Sequence, residues 1–310
     1  VDNATDMLAP DQGPARRADV AAAGAPRIPA AFLEGGQALD ALRAEHGFSA
    51  LVTIETAGKS RRLLFDAGLT PDGLVENMRR LSLSPKDIEV IVLSHGHFDH
   101  TTGLDGLARS LGRANLPVII HPEFWSRRRI LIPGREPIEL PSTSKPALIG
   151  AGFEIVEERQ PSFLLDGSLL VTGEVDRTTE FERGMLVQQA WRDGEWQPDP
   201  LILDDQALIA HVRGKGLVVL TGCGHAGVIN ILIQAQALTG GERIHAVLGG
   251  FHLTGGLFDP LIPRTVQELQ RFAPSVVVPG HCTGWKATHA IAAALPSAFV
   301  QNSVGTTFIF

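Results

Sequence analysis

Residues 93–104 read LSHGHFDHTTGL, with His95, His97, Asp99 and His100 inside six positions. A hydrophobic core has no use for four such side chains, and a solvated turn does not need them in this order. The residues leading into them, IEVIVLSH (88–95), are a short and nearly continuous apolar run. That pattern fits a strand buried on both faces. A chain with this feature is constrained to a layered α/β fold in which a buried strand delivers polar ligands at its carboxyl end. In extended backbone, residues two apart point the same way, so His95 and His97 can hold one ion. Asp99 and His100 lie beyond a turn and can hold a second. Gly96 lets the backbone bend close to the ions. Imidazole and carboxylate together suit borderline metals such as zinc.

The rest of the chain alternates strands and helices. SALVTIET (49–56) and RRLLFDAG (61–68) read as a hairpin across AGKS. Pro71 opens a helix through residue 81. TGLDGLARSLG (102–112) reads as a helix and LPVIIHP (116–122) as a strand. Residues 123–200, with SRRR, LIPGREPIELPSTSKP and WRDGEWQPDP, read as a loop-rich insertion. A compact fold seldom carries long idle loops, so the insertion is expected to cover a binding site. Beyond it, strands are expected at 204–212, 216–222, 244–250 and 274–281, and helices at 226–238, 263–273 and 288–295. SAFVQ and GTTFIF are expected to close the fold as strands. The 310 residues read as one domain in two similar halves. The first 36, rich in Ala, Pro, Gly and Asp, read as loop. The chain opens at Val1 without methionine, so a processed or incomplete start is expected.

Four ligands cannot complete two ions. Later strand ends supply more. VVLTGCGHAG offers Cys223 and His225, VLGGFHLTGG offers His252, and VVVPGHCTG offers His281 and Cys282. Each is an aliphatic run, then glycine, then histidine. The two cysteines stand beside histidines, which points to a metal site more than to a disulfide, the alternative between them.

HGHFDH resembles the H-x-H-x-D-H signature of the metallo-β-lactamase-fold hydrolases. GCGHAGVIN, GGFHL and PGHCTG narrow the likeness to the branch named for 7,8-dihydropterin-6-methyl-4-(β-D-ribofuranosyl)aminobenzene 5′-phosphate synthase. Even the opening VDN looks like the end of that branch's first strand. The resemblance implies an αββα sandwich, two mixed β-sheets between helices, with two divalent ions at one edge. It gives His95 and His97 to the first ion, Asp99, His100 and His281 to the second, and an orienting role behind them to Asp66. Many relatives also carry a histidine in G-H-x-x-G and later a bridging aspartate. Here VTGEVDR and Cys223 stand near those places. His225 is therefore expected to complete the first site, with Cys223 and Glu174 as further ligand candidates. Zinc is the expected ion, with manganese, iron and nickel as alternatives. His97, where the oxygen-reducing diiron branch has glutamate, argues against that branch.

Two such ions lower the pKa of a shared water and polarise the bond under attack. The expected function is a metal-dependent hydrolase acting on a small phosphorylated, pterin-like metabolite, or a synthase step at the same site. Asp99 and His252 are the catalytic candidates, His252 at a leaving group or oxyanion. Arg177 and the SRRR run are candidates for holding phosphate. Trp125 and the tryptophans of WRDGEW are candidates for stacking on a pterin ring. A promiscuous phosphodiesterase or lactonase is the alternative enzyme, and a metal-bound ligand sensor is the alternative of another class. A net charge of −7 argues against nucleic acid and anionic membranes as partners. No apolar run reaches the ~18 residues of a membrane span. A cytoplasmic location is expected.

Overall fold

The computed structural model describes residues 1–19, 25–56 and 58–310. Two sheets dominate. The first orders its strands Glu154–Glu157, Pro117–Ile120, Val90–Val92, Lys59–Phe65, Ala50–Thr56, all parallel except the last. The second runs Ser162–Leu164, Leu169–Val171, Leu208–Val212, Gly216–Thr221, Ile244–Gly250, Val276–Gly280, with the last three mutually parallel.

Strand alternation builds the layers. Leu63, Phe65, Val90 and Val92 turn inward to meet Leu169, Val171 and Leu208 of the second sheet. Their neighbours Leu64, Ile91, Val118 and Ile120 turn outward, under the helices Gly73–Arg80 and Leu104–Leu111. On the other side, Leu217, Val219, Val247 and Val277 pack against Val228–Leu238, Ile262–Phe272 and Trp285–Ala294. The order of layers is helix, sheet, sheet, helix, as the family resemblance implies.

The departures are local. Residues 123–200 are far from structureless. Glu195–Pro198, Gln188–Arg192, Arg128–Ile130 and Ile138–Glu139 form a separate four-stranded sheet. Its strands are short and largely polar, so they carry little apolar alternation. The amino-terminal stretch holds Ala15–Arg16, paired with Thr307–Phe308, and a small hairpin of Arg27–Pro29 and Gln37–Leu39. SAFVQ is no strand: Phe299 makes a lone bridge to Val277. GTTFIF keeps only two strand residues. Of the AGKS turn, Ala57 lies outside the described residues. No described helix is long and apolar enough to cross a membrane.

Candidate metal centre

Parallel strands of both sheets end at one edge. In the second sheet Thr221 pairs with Gly249, and Gly249 with Pro279, so three strand ends stand level. The turns beyond them carry Cys223 and His225, His252, and His281 and Cys282. The first sheet brings Asp66 after Lys59–Phe65 and the HGHFDH loop after Val90–Val92.

Two groups of donors result. His95 Nε2 lies 3.0 Å from His97 Nδ1, and His225 Nε2 lies 3.2 Å from the same atom. In the second group, His100 Nε2 is 3.1 Å from His281 Nε2 and 3.2 Å from Cys223 Sγ. Asp99 Oδ2 is 3.3 Å from His281 Nε2. Cys223 reaches both groups: it is within 4.8 Å of Asp99, His100 and His281 donors, and of those of His95 and His225.

The donors fit cations. Burial pushes the His95 and His225 rings well below their usual pKa. Burial, then the Arg128 charge, takes His97 down to about 4. Three neutral imidazoles thus point nitrogens at one spot. Each pair of facing nitrogens has room for one proton at most, whereas a cation satisfies all three. In the second group, burial opposes charge on His100, but Asp66 and Asp99 outweigh it and raise the ring to about 9. Burial likewise opposes charge on Asp99, and His100 and His281 hold its carboxyl below the usual range. That is a site built around positive charge, which a metal ion in place of the proton also supplies.

The surroundings fix which nitrogen faces inward. His95 Nδ1 meets Ser94 Oγ at 2.9 Å, His100 Nδ1 meets Asp66 Oδ2 at 2.7 Å, and His97 Nε2 meets Gln188 Oε1 at 3.1 Å. Asp66 also accepts from the Ser94 amide at 2.7 Å and its hydroxyl at 2.8 Å. The backbone must pass close here. A Cβ on Gly222 would sit 2.1 Å from Ser94 Oγ, and one on Gly96 would sit 2.2 Å from the Phe124 carbonyl oxygen.

The remaining expected residues fall as follows. His252 packs against His225 at 4.1 Å between ring centroids, the rings tilted by 44°. Glu174 joins neither group; it pairs with Arg159 and lies 3.3 Å from His121 Nε2. The two nitrogen ends of Arg177 donate to the carbonyls of Val175 and Leu201. Arg128, in the SRRR run, is buried between Asp199 and Asp204 and presents no free face to a phosphate. Trp196 lies under Arg129 at 4.5 Å and against Trp191 at 5.3 Å, so arginine and indole already hold its faces. Trp125 donates to Glu157, with Lys145 over its ring.

Sequence reasoning missed the tripeptide Asp204-Asp205-Gln206. Asp204 accepts from the Gly96 amide at 2.8 Å, between the two ligand histidines. Asp205 accepts from the Ala226 amide beside His225, and Gln206 donates to the Leu93 carbonyl. Three consecutive polar residues at the mouth of an apolar strand were the available signal. Gln188 offered none.

Residues 43–281 match the family model of the Metallo-beta-lactamase superfamily. The chain belongs to this superfamily. It is 30% identical over 253 residues to a protein of Methanocaldococcus jannaschii named 7,8-dihydropterin-6-methyl-4-(beta-D-ribofuranosyl)-aminobenzene-5'-phosphate synthase, covering 78% of this chain and 82% of that one. It is 36% identical to an uncharacterized protein of the same organism, covering 79% and 86%. A solved structure described as a metal-dependent hydrolase of the beta-lactamase superfamily superposes with a TM-score of 0.69 at 26% identity, over 86% of this chain and 93% of that one. Superfamily membership and the two donor groups agree on divalent metal binding.

Proposed function

We propose that this chain is a two-metal enzyme that breaks a phosphoester or phosphoanhydride bond in a small, pterin-like metabolite. The observation that carries the reading is the sharing of Cys223 between two donor groups, which sets two cation positions side by side. His95, His97 and His225 would hold one ion and Asp99, His100, His281 and Cys223 a second, and the bound metal would supply Lewis acidity and a water of lowered pKa. Zinc is our choice of ion, because neutral imidazole and thiolate favour it over magnesium or calcium.

The chain's own residues do the rest. Asp66 and Gln188 keep the rings of His100 and His97 turned inward. His252, partly exposed beside His225, is placed to give a proton to a leaving oxygen. Asp99, at the edge of its group, accepts a hydrogen bond from the attacking water. The pterin-like substrate follows from the name borne by the Methanocaldococcus relative.

The test is turnover of bis(p-nitrophenyl) phosphate, and of a dihydropterin diphosphate offered with a ribosyl-aminobenzene phosphate, by metal-loaded protein. Metal-dependent turnover that falls at least a hundredfold in His95→Ala and His281→Ala is expected. Full metal occupancy with tight dihydropterin binding but no turnover of either probe would make the protein a sensor instead.

A further inference from the structure

Cys282 is explained by neither donor group. It follows the ligand His281, it is 3% exposed, and its Sγ donates to the Cys223 carbonyl oxygen at 3.2 Å. Around it a third set of donors closes: Cys223, His252 and Cys282 each bring one ligand atom within 4.8 Å of the others. Two features of the surrounding backbone are fitted to that set. A Cβ on Gly250 would lie 2.5 Å from the Gly222 carbonyl oxygen, 2.8 Å from Cys282 Sγ and 3.2 Å from Cys223 Cα, so the backbone between the two cysteines leaves no room for a side chain. His252 holds φ at 43°, a left-handed conformation that a histidine keeps only where its surroundings impose it. Its Nδ1 is buried and has no hydrogen-bond partner.

We propose that Cys223, His252 and Cys282 bind a thiophilic divalent cation of the zinc and cadmium class. Two thiolates and an imidazole are a soft donor set with a fourth position left for water. His252 is the least buried of the three and marks the side from which an ion enters. On binding, the Cys282 S–H gives its proton to water as its sulfur–metal bond forms and gives up its bond to the Cys223 carbonyl, while Cys223 releases a proton to water when it is free and a zinc–sulfur bond when it is already a ligand. No oxidant or reductant takes part. The site draws on Cys223, so its occupation competes with the two histidine-rich groups. It does not depend on which reaction those groups run.

The experiment is a cadmium titration of the zinc-loaded protein, following thiolate-to-metal charge-transfer absorption in the ultraviolet and counting both metals after desalting. Wild type is expected to develop absorption from two thiolates. In Cys282→Ser roughly half of it should remain, with binding at least tenfold weaker, because one thiolate is gone. Serine keeps a hydroxyl for the Cys223 carbonyl, which favours folding of this variant. His252→Ala leaves both thiols and should also bind at least tenfold more weakly. Wild-type affinity and absorption in both variants would overturn the site, as would two thiols already joined in the wild-type protein. Zinc counted on the same samples before cadmium is added reports separately on the histidine-rich groups.

Discussion

Asp66 shows how much a single side chain decides at this edge. It stands at φ 59°, fully buried, and its two oxygens accept from the Ser94 amide, the Ser94 hydroxyl and His100 Nδ1. All three partners donate. Asp66→Asn replaces one acceptor with an NH2 that faces donors. Outer partners of this kind are worth about 10–100-fold in metal affinity. We expect a loss of that size at the second group, with His95, His97 and His225 less affected, measured by competition against a chromophoric chelator. Gly222 is the matching steric case. Gly222→Ala drives a methyl into Ser94 and Asp66, and overpacking of this sort costs about 1–3 kcal/mol. Chemical denaturation of the metal-free protein isolates that cost. The ligand histidines were legible because their spacing is chemical: His95, His97, Asp99 and His100 need no tertiary information to stand together. Asp66 was found only through a family likeness, since a lone aspartate after a strand carries no sign of its own.

At the scale of elements, the four-stranded sheet is wired to the metal loop. Gln188 reaches His97, and Arg128 joins Asp199 to Asp204, which holds the Gly96 amide. Arg128 and Asp204 are both buried. A buried charge left with no partner costs about 3–5 kcal/mol, but without Asp204 the Arg128 guanidinium keeps Asp199. Asp204→Ala should therefore destabilise by less than that amount and also weaken the first group's hold on metal. Gln188→Leu should weaken metal binding with little change in unfolding free energy, and Gln188→Glu, which keeps the acceptor, should restore it. Denaturation curves and metal competition separate the two variants. None of this wiring was legible, because strands such as Arg128–Ile130 and Ile138–Glu139 are too short and too polar to show alternation. The buried strands of the two main sheets were legible for the opposite reason. A further element is tuned by pH. Glu182 accepts from the amides of Ile229 and Asn230 in the first turn of Val228–Leu238. Burial nevertheless raises its carboxyl to about 7 from an ordinary value of 4.5. The folded protein then holds a proton that the unfolded chain releases, so stability falls as pH rises through that window and levels off above it. Between pH 5 and 8 the loss is about 2 kcal/mol. Glu182→Gln stays neutral throughout, so its stability relative to wild type should rise by that amount over the same interval. A constant difference would mean that Glu182 is charged in the fold at pH 5.

For the whole molecule, the donors are divided between the two sheets. His95, His97, Asp99 and His100 extend from the first, and Cys223, His225 and His281 from the second. Each donor group therefore draws on both sheets, and an ion in either position ties them at the edge where the inter-sheet core ends. An unfolded chain holds no such set of ligands, so binding free energy adds to folding free energy. Metal at about a thousand times its dissociation constant adds about 4 kcal/mol. At roughly 2–4 °C for each kcal/mol, the scale for chains of 150–250 residues, that raises the melting temperature by on the order of 10 °C. Removing metal with a chelator should lower the wild-type melting temperature by that amount, and restoring zinc should recover it. His97→Ala and His281→Ala each disable one group and should each retain part of the shift. The double variant with Cys282→Ser added, which also removes a ligand of the Cys223, His252 and Cys282 set, should melt at the same temperature with or without chelator. It should also melt above metal-free wild type if the crowded neutral imidazoles repel one another when no cation stands between them. A chelator shift that persists in that triple variant would mean that metal stabilises the fold from somewhere other than the sheet edge.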